Sequence, residues 1–94
     1  MRLEWDEAKR ARVLAERGLD FADATEVFEG LHFDLAGDGE IPGGAATFGF
    51  LHDRLVALIW TPRSGGRRIH SMRYAHEGEP RRFEDAFRRM DRSR

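Results

Sequence analysis

The chain has 94 residues, sixteen basic and seventeen acidic, 40% of them apolar and none a cysteine. That is enough for one domain over residues 1–94 and excludes a two-domain enzyme. Without cysteine there is no disulfide framework, no thiol nucleophile and no Cys-ligated zinc or iron–sulfur centre, so the expected setting is a reducing cytoplasm. No apolar run approaches the ~20 residues that cross a bilayer, and Met1 leads straight into Arg2, Glu4 and Asp6, so no membrane span or export signal is expected.

Charge is unevenly placed. Residues 1–50 hold five basic and eleven acidic side chains and residues 51–94 hold eleven and six, so the halves carry −6 and +5. Fifteen of the sixteen basic residues are Arg, with Lys9 the exception. The planar guanidinium grips phosphate or carboxylate at two points, so the C-terminal half can hold phosphate.

In chain order, Asp6 can cap a first helix near 6–17, with Ala8, Ala11, Leu14 and Ala15 on one face and Gly18 as its left-handed stop. Asp20 caps a short second helix over 21–28, where Phe21, Ala24, Val27 and Phe28 share a side. Beyond Gly30 the period changes to two, and Leu31, Phe33 and Leu35 alternate with His32 and Asp34 as a half-buried strand. Gly37-Asp38-Gly39 reads as a turn, and Pro42-Gly43-Gly44 limits the next strand to 45–50. Residues 54–61 are nearly all apolar and read as the central strand. A hairpin leads on to a last strand over Arg67–Tyr74. Pro80 suits the start of a closing helix with Phe83, Ala86, Phe87 and Met90 on one side, its end fraying over Asp91–Arg94.

This order predicts an α+β fold: two N-terminal helices, a four-stranded antiparallel sheet and a C-terminal helix, with the helices on one face. The central strand is apolar on both faces, so a partner chain is expected to close the second one.

Gly43-Gly44 and Gly65-Gly66 have no following helix to cradle a nucleotide, and the four histidines (32, 52, 70 and 76) share no metal-ligand spacing. No cofactor or metal is therefore expected. Arg, His and Ser concentrate between 63 and 79. Cleavage of RNA by its own 2′-hydroxyl needs a base, cations for the phosphoryl oxygens and an acid for the departing 5′-oxygen. Arg63, Arg68 and Arg73 can supply the cations, and His70, His76 or Glu79 can move protons. A regular strand would put Arg67, Ile69, Ser71 and Arg73 on one face and Arg68, His70, Met72 and Tyr74 on the other, separating Arg68 from Arg73.

Leu3-Glu4-Trp5-Asp6-Glu7-Ala8-Lys9, then Gly18, Phe21 and Ala24 to Phe28, resembles the opening of BrnT-type toxins. Gly39-Glu40, Phe48-Gly49, Thr61-x-Arg63, Arg68-Ile69-x-Ser71-x-Arg73 and Ala75-x-x-x-Glu79 resemble the remainder, over about residues 3–83. The resemblance implies a metal-independent ribonuclease toxin of a type II toxin–antitoxin pair with a RelE-like fold. It also implies an RNA substrate, inhibition of translation, and a BrnA-like ribbon-helix-helix antitoxin through which operator DNA is bound. Carried over position by position, Arg68, Arg73, Ser71 and Glu79 are the expected catalytic residues. Arg63 and Lys9 are expected to bind substrate. His70 joins them on its chemistry alone, since the family has an aliphatic residue there. Val13 and Arg17 stand where the family has Asn and His, the strand with Ala45 and Ala46 lacks an Arg, and Phe83 replaces a Tyr. These departures leave a second expectation open: a catalytically degenerate homologue that acts by binding its antitoxin.

Overall fold

The computed structural model describes residues 2–36 and 41–92. Strand β1 (Arg2–Trp5) is followed by helix α1 (Glu7–Arg17), then a 3-10 turn at Phe21–Asp23 that runs into helix α2 (Ala24–Glu29). Strands β2 (His32–Ala36), β3 (Ala45–Leu51), β4 (Arg54–Arg63) and β5 (Gly66–Tyr74) come next, and helix α3 (Glu79–Arg92) closes the chain. The expected turn at Gly37-Asp38-Gly39 lies outside the described residues, as do the last two residues of the expected frayed end.

Local chemistry sets the boundaries. Asp6 Oδ1 accepts the Ala8 N–H at 2.8 Å and the Lys9 N–H at 3.2 Å, which satisfies amides that the first turn leaves open. Gly18, at φ +71°, closes α1 by donating its N–H to the Leu14 carbonyl. His52 and Asp53 both have positive φ (50° and 66°), so β3 and β4 are joined by a two-residue turn whose twist matches that of the strands.

The sheet corrects the expected fold in three respects. It has five strands in the order β1-β5-β4-β3-β2, and β1 pairs with β5 in parallel. The four-stranded antiparallel sheet was therefore one strand short. Arg2-Leu3-Glu4-Trp5 is too brief for its alternation to stand out, and its partner lies more than sixty residues away. The seat for β1 is Gly66, where a Cβ would lie 2.0 Å from the Arg2 carbonyl oxygen; only glycine allows the approach.

Second, the helices do not share a face. Val13, Leu19, Phe21, Ala24, Val27 and Phe28 of the N-terminal helical segment pack on Val56, Leu58, Trp60, Ile69 and Met72. The opposite face carries Ala46, Phe48, Ala57 and Ile59 under Phe83 of α3. Third, the apolar back of β4 is thus covered by the chain's own last helix, where a partner chain was expected. Phe83 is 5% exposed, and its ring meets Phe50 edge-on at 5.6 Å. Burying such side chains is worth ~1.5–3 kcal/mol each. Among the described residues no helix is long and apolar enough to cross a membrane.

Candidate functional site

The decisive irregularity is in β5. Its pairing with β4 passes from Trp60↔Ile69 to Ile59↔Ser71, so His70 is an inserted residue, a β-bulge. Alternation is broken there. Ile69 and Met72 both enter the core beneath the N-terminal helices, whereas the regular pattern would have put them on opposite faces. Arg68, opposite Thr61, and Arg73, opposite Ala57, therefore share the face that α3 partly covers. The expected separation of these two arginines onto opposite faces is corrected. They stand four ladder positions apart, roughly 13 Å at ~3.3 Å per residue.

Two clusters result. In the first, the register sets Glu4 beside Arg68, and one Glu4 oxygen accepts from Arg63 Nε and Arg68 Nη1, both at 3.3 Å. These side chains are 48% (Arg63), 32% (Arg68) and 38% (Glu4) exposed. His70 Nε2 lies 2.7 Å from Thr61 Oγ1. Burial lowers the His70 pKa from its ordinary value, and the charges of Lys9, Arg68 and Arg63 lower it further. Lys9 lies in the first turn of α1, directly after β1 and the Asp6 cap. Asp6 is itself held below the usual carboxylate range, chiefly by the Lys9 and Ala8 N–H groups, with smaller contributions from the Lys9 and Arg68 charges.

The second cluster joins β5 to α3. Arg73 Nη1 and Nη2 donate to the two Glu79 oxygens at 2.8 and 3.1 Å, and these side chains are only 11% and 14% exposed. Glu79 also accepts the His76 backbone N–H. Burial alone would raise the Glu79 carboxyl, but the Arg73 guanidinium and the His76 N–H outweigh it and hold the pKa below its ordinary 4.5. His76 is exposed, its ring 3.9 Å from Glu79.

The expected site residues thus divide. Arg63, Arg68 and His70 gather on the open part of the sheet face, and the charge of Lys9 from α1 acts on His70. Arg73 and Glu79 hold each other at the margin of α3. Ser71 is reached from α1, where Arg17 Nη1 donates to its Oγ at 3.4 Å and to the Met72 carbonyl at 3.0 Å. Arg67 lies on the other face, its guanidinium 4.2 Å from the Phe28 ring centre and 4.4 Å from that of Trp60.

Two members of the open cluster, Glu4 and Thr61, were missed from sequence. Thr61 could have been found, because a two-residue turn at Ser64-Gly65 puts it opposite Arg68. Glu4 could not, since only the parallel strand pairing brings it there.

Guanidinium and ammonium groups converging beside an imidazole can bind a phosphodiester and take up a proton. A groove of about 210 Å³ between α3 and β2–β3 is less suited, being floored by Phe33, Leu35, Phe48 and Phe83 with Glu79 and Asp85 beside Arg82.

The sequence model of BrnT, the ribonuclease toxin of a type II toxin–antitoxin system, matches residues 5–79. The chain belongs to the BrnT family. The BrnT match runs from the last residue of β1 to the first of α3, so it takes in Lys9, Arg63, Arg68, His70, Ser71, Arg73 and Glu79 and stops one residue short of Glu4. Membership of a type II toxin–antitoxin family implies an antitoxin partner. No curated protein matches it.

Proposed function

We propose that the protein is a metal-independent endoribonuclease that halts translation in the cytoplasm and is neutralised by a BrnA-like ribbon-helix-helix antitoxin, through which the pair reaches operator DNA. The observation that carries this reading is the open cluster of Arg63 and Arg68 on Glu4, with His70 on the same face and the charge of Lys9 acting on it. Three cationic side chains supply the charge that a phosphodiester requires as its oxygens become more negative. Glu4 shares a single oxygen between two arginines at 3.3 Å, a weak hold that an incoming phosphate can replace. Arg73 and Glu79 act in this reading as positioning residues, fixing the start of α3 against β5, and Ser71 contributes through its place in the bulge.

A second reading has an observation of its own. Arg73 and Glu79 are held together by two hydrogen bonds, and Phe83, which by the resemblance stands in place of a Tyr, is buried in the core. A chain in which those positions have become structural could serve its system by binding the antitoxin alone.

The test is cleavage of RNA, free and ribosome-bound, by purified protein in excess EDTA, with and without antitoxin. Cleavage that persists in EDTA and stops on adding antitoxin is the expected result. Cleavage of neither RNA, with tight antitoxin binding retained, would favour the second reading.

A further inference from the structure

We infer that His70, held on the cationic face of β5 by its contact with Thr61, is the general base that removes the 2′-hydroxyl proton of RNA bound at Arg63 and Arg68. This rests on the ribonuclease reading and deepens it.

Strand alternation sets the imidazole beside the cations, and the Thr61 contact holds it there. In an unbroken strand, residues 68 and 70 share a face but 73 does not. The inserted residue keeps His70 with Arg68 while returning Arg73 to the same side. The Thr61 contact accommodates either tautomer, and the proposed step uses the one protonated at Nε2. When Nε2–H donates to Thr61 Oγ1, the lone pair is left on Nδ1, which has no hydrogen-bond partner among the described residues. The Thr61 hydroxyl proton remains free to reach a phosphoryl oxygen.

The charges that act on the ring favour its neutral, proton-accepting form. Lys9 from α1, Arg63 from β4 and Arg68 from β5 oppose its protonation, as does burial. Glu4 from β1, the carboxylate of this cluster, is engaged by the two arginines.

The competing bases are worse placed. Glu79 is taken by Arg73 and the His76 N–H, and His76 stands outside the open cluster.

In the step, Nδ1 takes the 2′-hydroxyl proton and the oxygen's electron pair forms a bond to phosphorus. The bond from phosphorus to the 5′-oxygen breaks, and that oxygen leaves with its electron pair and a proton from water. The imidazolium returns its proton to the hydroxide so formed. The products are a 2′,3′-cyclic phosphate and a 5′-hydroxyl end.

The experiment is kcat/KM against pH for wild type, His70→Ala and Thr61→Val on RNA, free and ribosome-bound, with His52→Asn in the exposed hairpin turn as control. Expected are cyclic-phosphate ends, a wild-type profile rising through a pKa below 6.5, and a loss of about 10²-fold or more in His70→Ala with the rising limb gone. Added imidazole should recover part of the rate in His70→Gly, which a purely structural histidine would not permit, and Thr61→Val should shift the profile. If His70→Ala keeps both the rate and the rising limb, the inference fails and the ribonuclease reading stands. If the wild type cuts neither RNA, both fall together.

Discussion

Two arginine–glutamate contacts on the same sheet face have opposite characters. Arg73 and Glu79 meet through two parallel hydrogen bonds with little solvent access, whereas Arg63 and Arg68 share one oxygen of a half-exposed Glu4 at longer range. The first geometry suits holding, because neither partner can leave without exposing a buried charge. The second suits exchange, because the arginines already face solvent and have donors to spare. The difference follows from α3, which covers the apolar part of the face with Phe83 and leaves the polar part open.

The sharpest way to break this contrast is to remove one partner of each contact. Glu79→Ala should cost about 3–5 kcal/mol, because it removes one side of a buried ion pair and its two hydrogen bonds. Glu4→Gln should cost less than about 1 kcal/mol, as exposed pairs do. Urea unfolding of the two variants measures both.

A Cβ at Gly66 would sit almost on the Arg2 carbonyl. Gly66→Ala should therefore displace β1 and with it Glu4, lowering stability by roughly 1–3 kcal/mol and RNA cleavage with it, whereas Gly65→Ala meets only the backbone preference at φ +75°. Thermal unfolding and cleavage of the two variants separate the effects.

Acid sharpens the contrast further. Glu79 is depressed in the folded state, so its contribution is complete above its ordinary 4.5 and is lost as pH falls through the lower folded value. Stability measured from pH 6 to 3 should fall less steeply in Glu79→Gln than in wild type.

The smallest effect belongs to salt. Phosphate contacts through Arg63, Arg68 and Lys9 predict that log affinity for single-stranded RNA falls with log salt at about −0.7 per contact, and each charge removed should reduce the slope by that amount.

Much of this arrangement was legible in the residues. Asp6, Gly18, Asp20 and Pro80 marked the helix ends, and the apolar run over 54–61 marked the central strand. Two kinds of feature were not. β1 depends on a contact between the two ends of the chain, and four residues carry too little period to announce it. The bulge at His70 leaves no mark in a segment that alternates acceptably either way, so the faces of Ser71, Met72 and Arg73 were assigned one step out. The site inherited that error: its arginines were known, but which of them lie together was settled by one inserted residue. Likewise the second apolar face of β4 was visible, while its cover proved to be Phe83 of the same chain.

The most direct test of the open cluster as the RNA site is single-turnover cleavage by Arg68→Ala, with its thermal midpoint measured on the same preparation. A midpoint near that of wild type with cleavage lowered by about 10²–10³-fold is the predicted result. Full cleavage by a folded Arg68→Ala would place the RNA phosphate elsewhere and contradict the assignment.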